Sequence, residues 1–121
     1  MAGFFGNPVA RHVRQGIARV NVSTWSPIHS GLVQGLPELP NRQWVEIQPR
    51  GQNNIRLALK FVNKNADGTF TVPTSTAHDA IVYPSTSIIE KPISDDVRIF
   101  ARAVQNGGSA GGFKCVVCEY S

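Results

Sequence analysis

Apolar and polar side chains alternate most strictly in residues 55–61, where Ile55, Leu57, Leu59 and Phe61 are separated by Arg56, Ala58 and Lys60. A period of two sends successive side chains to opposite faces, which predicts a half-buried strand. The same period places Val45 and Ile47 on one face of residues 43–48. It also sets Val97, Ile99, Ala101 and Ala103 opposite Arg98, Phe100 and Arg102. Shorter strand-like runs fall at residues 17–25, 80–83, 87–90 and 113–120, and Phe70 and Val72 read as the return arm of a hairpin after residues 63–68. Asp67-Gly68 supplies the positive φ that such a turn needs.

Turn residues separate these runs. Residues 49–54 (Pro-Arg-Gly-Gln-Asn-Asn) and 106–112 (Asn-Gly-Gly-Ser-Ala-Gly-Gly) are turn and hairpin-tip clusters. Residues 26–43 hold Pro27, Gly31, Gly35, Pro37 and Pro40, too much punctuation for a helix, and predict a structured loop tacked down by Leu32, Val33, Leu36 and Leu39. No segment offers three turns of amphipathic helix. Short strands between Gly, Pro and Asn turns predict an all-β fold, an antiparallel β-sandwich of jelly-roll or immunoglobulin-like topology.

Residues 1–16 show neither a strand nor a helix period and carry Gly3, Gly6, Pro8 and Gly16. They read as an extended N-terminal arm ahead of one domain spanning 17–121. Stretched out, 16 residues span roughly 50 Å, enough to reach a neighbouring subunit. Phe4 and Phe5 are its apolar anchors, and its removal is expected to leave the domain folded.

The chain has 121 residues, a single domain's length, which excludes a two-domain enzyme. Charged residues make up 17%, below the roughly 25% of an average domain, while 41% are hydrophobic, enough for a core. Of the net charge of +4, three charges come from Arg11, Arg14 and Arg19 in the acid-free residues 1–37. A basic segment of this kind favours phosphates by counterion release, but three arginines without a reading motif do not make a nucleic-acid interface. The charge-free run between Arg19 and Glu38 is broken by polar residues and prolines, well short of the ~20 apolar residues of a membrane span.

Chemistry-bearing residues favour bland readings. Cys115-x-x-Cys118 lies in a β-favouring run with no helix behind it, and residues three apart in a strand face opposite ways, so buried free thiols are expected. His12, His29 and His78 lack metal spacing. The Asn63-x-Asn65-x-Asp67-Gly68 run imitates a calcium loop but reaches Thr74 where a bidentate Glu is required. His78 and Asp79 are adjacent, an arrangement that rarely orients a base and its partner, and no nucleophile elbow accompanies them, while Asp95-Asp96 reads as a turn. No catalytic residue, metal or cofactor is expected.

Four stretches carry a resemblance. They are Trp44-Val45-Glu46-Ile47-Gln48 with Ile55-Arg56-Leu57; Ile81-Val82-Tyr83-Pro84 with Ile88-Ile89-Glu90; residues 97–103; and Cys115-Val116-Val117-Cys118-Glu119-Tyr120. In order and spacing, residues 43–121 resemble small β-sandwich virion proteins of tailed bacteriophages, with Pro49 where Asn is usual. The resemblance implies a non-enzymatic structural protein of the virion, made in the host cytoplasm. Its role would be capsid decoration or cementing, or a place in the head-tail neck or tail. It also implies the major capsid protein or other virion subunits as partners, in multiple copies or as a homo-oligomer. Phe4, Phe5, Arg11, Arg14 and Trp25 are the expected partner-binding residues, since aromatics and Arg are enriched in interfaces. A carbohydrate- or nucleic-acid-binding β-module is the alternative.

Overall fold

A computed structural model describes residues 12–21, 24–50, 55–74, 81–84, 87–105 and 114–121. Phe4, Phe5 and Arg11, most of the 49–54 turn, His78-Asp79 and the 106–112 hairpin tip lie outside the described residues. Among those described there is no helix. Eight strands form: β1 (Val13–Arg19), β2 (Ser26–Pro27), β3 (Trp44–Arg50), β4 (Ile55–Asn63), β5 (Ile81–Pro84), β6 (Ile89–Lys91), β7 (Val97–Gln105) and β8 (Lys114–Tyr120).

They build two antiparallel sheets, in the orders β1-β8-β3-β6 and β2-β7-β4-β5. The first strand pairs with the last, the second with the seventh, the third with the sixth and the fourth with the fifth. This is one long two-stranded ribbon folded back on itself. Rolling it up adds the pairs β3–β8 and β4–β7 and sends alternate segments of the ribbon into opposite sheets. The result is the jelly-roll form of the β-sandwich, which decides between the two topologies that periodicity left open.

The core lies between the sheets. Ala18, Val45, Ile47, Ile89, Cys115 and Val117 from one sheet meet Leu57, Leu59, Ile99, Ala101 and Ala103 from the other, with Ile28 between them. In β3, β4 and β7 these are the inward positions that period two assigns. A second, smaller cluster lies outside the β2-β7-β4-β5 sheet, where Trp25 covers Ala58 and Phe100. Strand β4 is therefore covered on both faces at its centre.

Three elements differ from the sequence reading. β1 begins at Val13 rather than Ile17, so residues 13–16 belong to the domain, paired with Gly16 opposite Val117 and Arg14 opposite Glu119. A Cβ on Gly16 would lie 2.0 Å from the Ser30 carbonyl oxygen, so the residue that reads as arm-like punctuation is a close approach of two backbones. β3 runs on through Pro49 and Arg50. Its β6 partner stops at Ile47, leaving room for a residue without an N–H. Finally, residues 69–74 form no strand. The turn closes through Asn65 N to Thr69 O at 2.7 Å, with Gly68 at φ +87°, and Phe70 leaves it to stack on Arg98.

Candidate functional site

The inward alternation of β8 runs Cys115, Val117, Glu119 and so delivers a carboxylate to a core position. Glu119 is fully buried. Its Oε1 accepts from Ser30 N at 2.7 Å, from the Ser30 hydroxyl and from Arg14 Nη2 at 3.2 Å. Its Oε2 accepts from Leu39 N at 3.1 Å and from Arg42 Nη1 at 2.7 Å. Burial pushes its pKa up, but the Ser30, Arg42 and Leu39 donors outweigh burial and hold it below the ordinary value. A carboxylate offers about four lone-pair sites. Five donors saturate it, which leaves no acceptor for a substrate.

Arg42 is equally enclosed. Beyond Glu119 it donates to Ile93 O at 3.2 Å, Ser94 O at 2.8 Å and Val97 O. The pair thus ties both ends of the 30–39 loop to β8 and to the approach of β7. Between those ties the chain makes a tight turn, with Gln34 N and Leu36 N on Gly31 O at 3.2 and 2.8 Å and Gly35 at φ +72°. The turn is rigidly held, and it presents Val33 and Leu36 outward beside β1.

The product is an apolar border along β1, which is the end strand of its sheet among the described residues. Val13, Ile17, Val33 and Leu36 are 56%, 48%, 77% and 46% exposed. Ile17, Gly16 and Gln15 line one side of a cleft of about 380 Å³, with Val33 and Gln34 on the other. A seven-residue edge strand flanked by exposed aliphatic side chains is a template for pairing with another chain.

A second cleft, of about 520 Å³, is lined by Pro37, Glu38, Lys64, Phe70, Asp95 and Arg98 among others. Its charged groups are largely committed to one another. Arg98 grips Glu38 with two bonds, at 2.7 and 3.0 Å, and its guanidinium lies 4.5 Å from the Phe70 ring centroid. Burial pushes the Glu38 pKa up, yet the Arg98 bond brings it below the ordinary range. His29 is buried nearby, and its Nδ1 has no hydrogen-bond partner among the described residues. Desolvation lowers its pKa against the pull of Glu38 and Glu119.

Of the expected partner-binding residues only Arg14 and Trp25 are described, and they lie on different sheets. Phe4, Phe5 and Arg11 lie outside the described residues. Arg14 turns toward the core side of β1 and donates to Ser30 Oγ at 2.6 Å, to Pro37 O and to Glu119. Trp25 is 6% exposed on the other sheet, with Lys60 and Arg102 each 5.4 Å from its ring centroid. Sequence reasoning did not single out Val13 or Ile17, and it expected Val33 and Leu36 to tack the loop down, whereas both are exposed and only Leu32 and Leu39 pack inward. The signal for the first two was the alternation Val13, Gln15, Ile17, Arg19, visible once the strand is started four residues earlier. Cys115 and Cys118 are free and face opposite sides of β8, as their spacing predicts, but only Cys115 is buried; Cys118, on the outward side, is half-buried. Among the described residues no three His, Cys, Asp or Glu side chains group as a metal site. Comparison with protein families, curated proteins and solved structures gives no match for this chain.

Proposed function

We propose that this chain is a structural protein of a bacteriophage particle that docks on neighbouring coat subunits, as a decoration or cement protein does. The observation that carries the reading is the apolar border of β1. Val13 and Ile17 lie on an end strand, and Val33 and Leu36 lie beside it on a loop that the buried Arg42–Glu119 pair ties down. Exposed aliphatic groups beside an unpaired strand edge are costly to leave in water and become favourable when a partner covers them. The jelly-roll order adds a fold-level analogy, since viral capsid domains use this architecture, as do lectins and cupins. The phage setting rests on the resemblance of residues 43–121 to tailed-phage virion proteins.

The test is a paired substitution on the border, Val33→Lys with Leu36→Lys, both at exposed positions of the 30–39 loop. The folded variant is expected to stay in the supernatant when phage particles carrying the wild-type chain are pelleted and probed. Incorporation of the variant at wild-type occupancy would overturn the reading, as would a wild-type chain that joins no particle.

A further inference from the structure

The register of the β1-β8-β3-β6 sheet arranges its outward side chains in four rows across the strands. One row is Val13, Tyr120, Trp44, and the next is Gln15, Cys118, Glu46, Glu90. The third is Ile17, Val116, Gln48, and the fourth is Arg19, Lys114, Arg50. Two of these rows set like charges directly opposite one another, which is unfavourable in an isolated sheet. Glu46 stands beside Glu90, while Arg19, Lys114 and Arg50 make three cations in line. Two residues along a strand separate each row from the next, so the acidic and basic rows lie about 13 Å apart with the apolar row midway.

We propose that this face binds a second copy of the same chain, related by a two-fold axis lying in the interface along the Ile17-Val116-Gln48 row. Such an axis reverses the strand direction and keeps each strand over its counterpart. Row three then meets itself, with Ile17 and Val116 each on its own copy and Gln48 on Gln48, and the Arg19-Lys114-Arg50 row of each copy lies over Gln15, Cys118 and Glu46 of the other. Arg50 of one copy faces Glu46 of the second, and the reciprocal pair forms at the same time, as an isologous contact requires. The association gives Arg50 and Glu46 each an opposite charge. A coat-protein surface would need its own matching alternation of charge, whereas the second copy supplies it by symmetry. The inference does not depend on the docking role of the β1 border, because a chain that dimerises but joins no particle refutes only that role.

Four strands of seven residues or fewer give a face about 20 Å by about 23 Å, at the low end of interface sizes, so the dimer is concentration-dependent. Sedimentation velocity on the full chain should show a monomer–dimer equilibrium. It should weaken toward about 1 M salt, where the screening length falls to about 3 Å. Arg50→Glu and Glu46→Arg alone should each weaken association about tenfold or more, since each sets like charges against each other twice. Mixing the two variants should restore a dimer, because their changed charges then pair across the interface. Arg50 is exposed, so Arg50→Glu with the salt series remains informative even if Glu46→Arg, which loses a 3.1 Å bond from Tyr120, fails to fold. Cys118 gives a second readout. Cys115 is buried, so a thiol reagent reports Cys118, whose labelling should slow as wild-type concentration rises and not in Arg50→Glu. A wild-type chain that is monomeric at every concentration overturns the proposal. So does a dimer indifferent to both charge reversals, or a monomer whose Arg50→Glu change abolishes attachment to another protein.

Discussion

On the outer face of the β2-β7-β4-β5 sheet, Lys60 and Arg102 flank the Trp25 ring, and Arg98 is clamped by Glu38 and stacked on Phe70. On the outer face of the β1-β8-β3-β6 sheet, Arg19, Lys114 and Arg50 stand side by side. Both faces carry three or more cations, but the first has aromatics and an acid folded over it from the same chain. Trp25 arrives from the segment before β2, and Phe70 from the turn after β4. The second face keeps its aromatics, Trp44 and Tyr120, two rows or more from its cations. One face is completed within the chain; on the other, Glu46 accepts from Tyr120 and Arg50 donates to Gln48, but Arg19 and Lys114 stand in register with cations and no acid.

The comparison is broken most severely at the element both faces depend on. Glu119→Ala removes the acceptor of a fully buried Arg42 and should destabilise the fold by about 3–5 kcal/mol in urea unfolding. Replacing the pair together, Glu119→Leu with Arg42→Met, should recover much of that loss. A single substitution with little effect would mean that water or another donor reaches this site. The two tryptophans sharpen the contrast directly. Trp25→Ala opens the smaller cluster and should cost about 3–5 kcal/mol, whereas Trp44→Ala, at a position 37% exposed, should cost less than about 1 kcal/mol. Equal costs would mean that the two faces are packed alike.

Gly16→Ala should cost about 1–3 kcal/mol, because the new Cβ meets a backbone carbonyl and must push the 30–39 loop off β1. Deleting residues 2–11 stops short of β1 and spares its pairing, so unchanged thermal unfolding is the expected result. Deletion through residue 16 should unfold the β1 edge, because it removes Arg14 and Gly16.

Acid titration gives a smaller effect with a definite sign. His29 has a folded pKa below 6.5, so the unfolded chain binds its proton first, and the stability it contributes is present above pH 6.5 and falls as the pH drops below that value. Glu119 and Glu38, both held below 4.5, add a second decline as the pH falls below 4.5 toward their folded pKa values. His29→Gln should remove the first decline and leave the second. A stability curve flat from pH 7 to pH 5 in the wild type would contradict the placement of His29. The smallest effect is at β8: Cys115, pushed up to about 12 by burial, should stay unlabelled in the native chain while Cys118 reacts slowly.

Strands β3, β4 and β7 were legible because Val45 and Ile47, Leu57 and Leu59, and Ile99, Ala101 and Ala103 recur at period two, whereas β8 read only as a β-favouring run. The Glu119 site was not legible. A glutamate one residue from a strand end reads as a surface acid, and its donors come from residues 14, 30, 39 and 42, whose proximity depends on the rolled ribbon and on no local spacing. Trp25 and Arg14 read as interface residues because aromatics and arginines are enriched in interfaces, yet each found a partner within the fold. The charge rows were illegible for a different reason. They exist only in the register, and slipping β8 by one residue would send Lys114 to the core side and dissolve them.

The docking proposal is tested most directly by imaging phage particles assembled in the presence of this chain, at a resolution that distinguishes strands. The account predicts density for the two described sheets, with the β1 border at Val33 and Leu36 buried against a neighbouring subunit. Density with that border facing open solvent, or particles without the chain, would contradict it.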